Sequence, residues 1–300
     1  MVVGPFNEDY EVRIGICDME ASFVPRTGNQ MGVSDADWQA RPPEERLRRA
    51  LAIIGESPFE FVELGVPWIN DGPMAFSADH IESILRDTGV SVGAYNSLIP
   101  PDMPVVGPAI EWNLVQDYLE NVFANCNRLG GTVVVFGSGE SRQIPPGYSE
   151  EQAVTDIVRF LRLGANVIEE NNYQLRIAVE ALNTDECNFL NTLGETASVV
   201  RQVDSEKIGL LVDCYHMCLQ NNDYWTELEQ AMDLVIHVQA VEPGTRRRPG
   251  HDQDSRFDYG RFFRLLNERQ YPGNLSVEAI FENLSEEISP CHAFLQRLVR

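Results

Sequence analysis

Short apolar runs alternate along the chain with longer segments whose apolar residues recur at i, i+3 and i+4. The runs are VRIGIC (12–17), FEFVELG (59–65), VSVGAYN (90–96), TVVVFGSG (132–139), LRIAVEALN (175–183), GLLVDC (209–214), LVIHVQAVE (234–242) and LSVEAIF (275–281). Continuous apolar runs of this length are what strands buried on both faces require. The segments between them carry helical periodicity, and Gly or Asn stands near several of their ends. Strands alternating with helices predict a parallel sheet, and eight strands are the number that closes a barrel. The expected fold is therefore α/β, a single (β/α)8 TIM barrel spanning 1–300 as one domain. A doubly wound open sheet is the competing topology. The absence of a G-x-G-x-x-G motif after the first strand weakens its dinucleotide-binding version.

In a barrel, chemistry gathers on the loops that follow the strands. Two such loops are long: SLIPPDMPVVGP (97–108) and PGTRRRPGHDQDSR (243–256). The polar residues that interrupt the apolar runs fall near strand C-termini: Glu63, Asn96, Glu180, Asn183, Asp213, His237, Gln239 and Glu278. Any one alone would be read as structural, a salt-bridged acid or a satisfied core histidine. As a set they differ. Glu180, Asp213 and Glu278 come from the fifth, sixth and eighth strands and would converge on one small volume. Three carboxylates there repel one another and raise each other's pKa unless a cation neutralises them. Gln239, from the seventh strand, adds a neutral oxygen. Four oxygens suit a hard divalent ion such as Mg²⁺ or Mn²⁺. His216 opens the next loop and can reach back toward a ligand or substrate.

That geometry points to proton abstraction next to a carbonyl. A metal polarises the carbonyl, one glutamate removes the adjacent proton, and the same or the other glutamate returns it through a cis-enediolate. Aldose–ketose isomerisation or epimerisation follows. Expulsion of a β-leaving group from the same enolate would instead make the chain a lyase or dehydratase.

Composition narrows the partners. The chain has 300 residues, 43% of them hydrophobic, enough for a large core. Its net charge is −23, from 46 acidic and 23 basic residues, so phosphate backbones would be repelled and no nucleic acid is expected. The dense basic run, Arg246 to Arg248, reads either as a phosphate-binding loop or as rim charges balancing Glu242, Asp252 and Asp254. Six scattered cysteines form no C-x-x-C pair, which argues for reduced thiols. The opening MVVGPFNEDYEVR lacks the features of a leader, and no membrane-spanning run occurs, so a cytoplasmic location without membrane contact is expected.

IAVEALN, LLVDCYHM, HVQ and YPGNLSVEAIFEN stand in an order and spacing that resembles the xylose isomerase-like barrel superfamily, in its sugar isomerase and epimerase branch. Ketose 3-epimerases and hydroxypyruvate isomerase are the members it looks most like. The intervals are 33 residues from Glu180 to Asp213, three more to His216, and 26 from Asp213 to Gln239. The resemblance implies that Glu180, Asp213, Gln239 and Glu278 hold one divalent ion, Mn²⁺, Mg²⁺ or Co²⁺. It implies that Glu180 and Glu278 are also the acid–base pair, and that His216 and Arg246 bind substrate. Glu63 and Asn96 join them as candidate substrate contacts at the mouth. Epimerases usually carry His where this chain has Gln239; hydroxypyruvate isomerase resembles it there. Ser138, Gly139 and Arg142, in the loop after the fourth strand, read equally as mouth residues or as turn chemistry. The resemblance also implies a homo-oligomer acting on a small sugar or keto-sugar, and it leaves room for a small partner subunit.

Alternatives differ in class. Endonuclease IV shares the superfamily but needs a histidine-rich three-metal cluster, and this chain has only five histidines. A lyase on a keto-sugar or cyclitol, including a C-glycoside-cleaving subunit acting on 3-keto-glycosides, uses the same metal and base. A non-catalytic sugar-binding barrel would not need both glutamates.

Overall fold

A computed structural model describes residues 12–17, 41–70, 75–220 and 223–299. The N-terminal stretch that reads as lacking a leader lies mostly outside the described residues. The elements run β1 (Arg13–Cys17), α1 (Pro43–Gly55), β2 (Phe61–Gly65), α2 (Ala78–Thr88), β3 (Val92–Asn96), α3 (Trp112–Leu129), β4 (Val133–Phe136) and α4 (Glu150–Glu170). They continue as β5 (Arg176–Glu180), α5 (Leu193–Val203), β6 (Ile208–Asp213), α6 (Cys214–Leu219), α7 (Tyr224–Ala231), β7 (Val235–Ala240), α8 (Tyr259–Glu268), β8 (Asn274–Val277) and α9 (Leu284–Val299). The strands pair in chain order, all parallel, and β8 closes onto β1. The expected (β/α)8 barrel is the observed fold.

Local chemistry sets the helix ends. Ser149 and Gln152 form a reciprocal capping box at the start of α4, and Thr192 and Glu195 do the same for α5. Each satisfies main-chain N–H groups that the first helical turn leaves without partners. Ser77 caps α2, and Gly89 ends it at φ 71°, where a residue without Cβ is unstrained.

Inside the barrel, Ala94, Val133, Val135, Ala178, Leu211 and Ile236 pack as a small cluster of their own. The larger core lies between strands and helices. Gly15 and Gly93, on the strands flanking β2, make room for the Phe61 ring. An added Cβ would stand 2.1 Å from that ring at position 15 and 2.4 Å at position 93. Phe61 thus plugs the barrel with a side chain that neither neighbour could accommodate with one of its own.

Most strands stop earlier than the apolar runs suggest. β4 ends at Phe136, and the turn begins at once, with Ser138 at φ 40°. β8 ends at Val277, so Glu278 stands just past the strand. β6 ends at Asp213, whose carboxylate accepts the Tyr215 N–H and so caps α6.

Candidate functional site

The C-terminal ends of β5 and β6 bring Glu180 and Asp213 together with His216 of α6. One ligating atom from each lies within 4.8 Å of the others, and all three residues are buried. His216 Nε2 is 3.4 Å from Glu180 Oε1 and 3.6 Å from Asp213 Oδ2. Gln239 is the register partner of Asp213 on β7. Glu278, half-buried beyond β8, lies outside that close group of three, but its charge raises Glu180 and it is itself raised by Asp213.

The electrostatics of this cluster are unfavourable as it stands. Burial, then the charges of Glu278 and Asp213, push the Glu180 carboxyl well above the usual carboxylate range. Burial lifts Asp213 to about 7. Burial and Asp213 raise Glu278 strongly, against the opposing pull of Arg246. Two oxygens on neighbouring strands, Asp213 Oδ2 and Gln239 Oε1, are buried with no hydrogen-bond partner among the described residues. Buried polar atoms are almost always paired, so such a pair of unpartnered oxygens marks a place for something else. Clustered carboxylates plus unpartnered neutral oxygen fit a hard divalent cation.

His216 does not act as a ligand in this arrangement. Its Nδ1 accepts the main-chain N–H of Asn183 at 3.1 Å, and the Asn183 carboxamide nitrogen lies 2.9 Å away. A main-chain N–H can only donate, so Nδ1 carries the lone pair and the neutral ring holds its proton on Nε2. That nitrogen lies on the side of Glu180 and Asp213. Burial, with Arg246 and Arg142 nearby, holds the imidazole well below its usual pKa, so it is neutral. His216 is placed as a hydrogen-bond donor to an oxygen in the site.

Glu63, expected at the mouth, is instead wholly buried inside the barrel, with both oxygens engaged. Oε2 is 2.6 Å from His237 Nε2, and Oε1 accepts the Gln239 Nε2–H at 2.7 Å. Burial alone would raise its pKa, but the His237 imidazole, with hydrogen bonds from Ser276 and Cys17, brings it below the usual value. No free oxygen is left to meet a substrate. Asn96, the last residue of β3, is buried with its Nδ2 unpartnered among the described residues.

The run of three arginines divides. Arg246 turns inward at φ 54°; its main-chain N–H reaches Glu242 O, and its own carbonyl accepts from Ile280. Its guanidinium lies 3.9 Å from the Tyr215 ring centroid, and Nη1 is 3.4 Å from Glu186 Oε1. Arg247 pairs with Glu282 at 2.6 Å, and Arg248 with Glu287 at 3.5 Å. Two of the three are therefore balanced by acids that follow β8, and one faces the site.

The loop after β4 owes its glycines to close approach. A Cβ at Gly137 would stand 2.3 Å from Glu180 Oε2, and one at Gly139 would stand 2.7 Å from the Glu186 carbonyl. Ser138 accepts the Ile99 N–H through Oγ and serves the turn. Arg142 is different: it is fully buried, donates from Nη2 to the Glu180 carbonyl at 2.8 Å, and lies over Phe136.

Sequence reasoning missed Glu186, whose carboxylate bonds Asn183 Nδ2 at 3.2 Å and meets Arg246. It lies six residues past Glu180 in an irregular loop, where no periodicity singles it out. Its negative charge adds to the pressure on Glu180, Asp213 and Glu278.

Residues 49–295 match the xylose isomerase-like TIM barrel family, and the chain belongs to it. Within that family it is 21% identical over 262 residues to a ketose 3-epimerase of Arthrobacter globiformis, covering 86% of this chain and 85% of that one. A probable ketose 3-epimerase of Synechocystis is 31% identical over 105 residues, a match that spans only 35% of either chain. The fold superposes on a crystal structure of D-allulose 3-epimerase from Methylomonas with a TM-score of 0.75 at 16% identity, covering 98% of this chain and 99% of that one.

Proposed function

We propose that the chain is a divalent-cation-dependent sugar epimerase or isomerase that moves a proton next to the carbonyl of a small ketose or keto-sugar. The observation that carries this reading is the cluster of buried Glu180 and Asp213 with half-buried Glu278, in which Asp213 Oδ2 and the neighbouring Gln239 Oε1 are unpartnered and, among the described residues, no cationic partner balances the charge. The names of the relatives, ketose 3-epimerase above all, support it.

Glu180, Asp213, Gln239 and Glu278 would hold the ion. When bound, it supplies Lewis-acid polarisation of the substrate carbonyl and charge neutralisation for the three acids. The rest is the work of the chain's own side chains. Glu180 and Glu278, from opposite ends of the β5–β8 arc, are the groups that remove and return the proton. Arg142 fixes the main chain of Glu180 from behind, which limits how far that base can drift. The His216 Nε2–H donates to a substrate oxygen beside Glu180 and Asp213, its tautomer held by Asn183. Arg246 and Glu186, paired at the rim, offer a donor and an acceptor for hydroxyls farther along the sugar.

The test is exchange of the substrate α-proton with deuterated solvent, followed by NMR across a panel of ketoses, hydroxypyruvate and keto-glycosides in the presence of Mn²⁺ or Mg²⁺. Deuterium entering one carbon without net elimination supports the proposal. Elimination in place of exchange would move the chain to the lyase reading, and no exchange with any carbonyl sugar would end the proposal.

A further inference from the structure

Gln239 poses a problem that the site alone does not solve. A carboxamide has two ends of nearly equal size, and only the oxygen can ligate a cation. A free glutamine would present either. Here the choice is made inside the barrel. Glu63 crosses from β2 to meet β7, and the whole group is sealed: Glu63 and His237 are fully buried, Gln239 is 1% exposed and Ser276 is fully buried. Ionised carboxylate oxygens only accept. Glu63 Oε1 at 2.7 Å can therefore face only the NH₂ end of Gln239. Glu63 Oε2 is taken by His237 Nε2 at 2.6 Å, with Ser276 Oγ 3.2 Å from the same nitrogen. The Gln239 oxygen is left over, buried and unpartnered, as is Oδ2 of its register partner Asp213.

We infer that Glu63, braced by His237, is the positioning residue that turns the Gln239 carboxamide so that its oxygen faces the cation site. This inference rests on the reading that Glu180, Asp213, Gln239 and Glu278 hold a divalent ion. Glu63 touches neither ion nor substrate in this account; it acts through Gln239. Groups bonded to the ligands of a metal commonly change its affinity 10- to 100-fold when replaced.

The geometry makes a sharp prediction for Glu63→Gln, which keeps size and shape. While His237 keeps its proton on Nε2, the new carboxamide gives that N–H its oxygen in the place of Glu63 Oε2, the nearer of its two neighbours. Its NH₂ then points at residue 239, which must turn its own oxygen inward and its NH₂ toward the cation site. Adding Gln239→Glu restores the match: residue 63 donates to one oxygen of the new carboxylate at position 239 and leaves the other free for the ion. Mn²⁺ affinity, read by calorimetry and by electron paramagnetic resonance of free Mn²⁺ on the intact protein without substrate, should fall 10- to 100-fold in Glu63→Gln. It should return to at least the parental value in the double variant.

A merely structural role for Glu63 would leave the double variant as weak as the single one, and that result overturns the inference. So does parental Mn²⁺ affinity in Glu63→Gln, which leaves the proposed function standing. No Mn²⁺ binding by the parent removes both. If Glu63→Gln does not fold, the parent alone decides. With the Gln239 side-chain carbonyl labelled with carbon-13, saturating Mg²⁺ should shift that resonance, and an unmoved carbonyl refutes the orientation.

Discussion

Two groups of buried acids share one barrel and obey opposite rules. Glu63 is wholly enclosed, yet both its oxygens have short partners and its pKa is held down by His237. Glu180, Asp213 and Glu278 lie nearer the mouth, and their pKa values are driven up by burial and by neighbouring carboxylates, Glu186 among them. Burying a charge is costly unless it is paired. Both carboxylate oxygens of the first are paired by the protein. The second has no such full pairing among the described residues. The two meet at Gln239, whose nitrogen belongs to the first and whose oxygen belongs to the second.

The largest effects expected are on chemistry. Glu180→Gln or Glu278→Gln keeps an oxygen but removes a base, so α-proton exchange at saturating metal should fall by about 10²–10⁴-fold, roughly 3–5 kcal/mol of barrier. Exchange assays on each variant would show it. Parental exchange in Glu278→Gln would leave a one-base mechanism centred on Glu180.

Stability should respond with opposite signs in the two groups. Glu63→Leu strands His237 in the core and should destabilise the cation-free protein by about 3–5 kcal/mol, the usual effect of breaking a buried pair. Asp213→Asn removes one member of a repelling cluster and should leave the cation-free protein as stable as the parent, or more so. Chemical denaturation of the two variants side by side checks both signs.

Proton linkage separates the groups next. Without a cation, the folded chain keeps a proton on Asp213 up to about pH 7, while the unfolded chain releases it near pH ~3.9. The folded state then binds more protons across that window, so this cluster's contribution to stability is lost as pH rises through it. A cation reverses the sign, because protons must leave before it binds, and its affinity climbs over the same window. The rise in melting temperature on adding Mn²⁺ should therefore be larger at about pH 8 than at about pH 5.

The smallest effect expected lies at the rim. The Glu186–Arg246 pair is partly exposed, with Glu186 at 30%, and such pairs are worth about 0.2–1 kcal/mol. Glu186→Gln should raise KM a few-fold with kcat little changed, measured on whichever ketose shows exchange.

Much of this was legible before the fold was known. The eight apolar runs and their order give the barrel, because strands buried on both faces have no polar alternation to hide them. Glu180 and Asp213 were legible because an acid that ends an apolar run stands out. The partner of Glu63 was not: the contact spans 174 residues to His237 and joins strands across the barrel interior, so no local pattern signals it. Nor could three identical arginines be told apart by type. Arg246 is selected by a left-handed main-chain turn and a bridge from Arg247 to Ile280, both tertiary features. His216 was found, but its role as a donor depends on the Asn183 N–H, which only the folded loop supplies.

A Mn²⁺ titration of the metal-free protein at about pH 8 decides whether the unpaired acids take up a cation. One ion per chain is expected, with affinity strongly reduced in Asp213→Asn. No saturable binding, or equal affinity in Asp213→Asn and the parent, would contradict a cation site there.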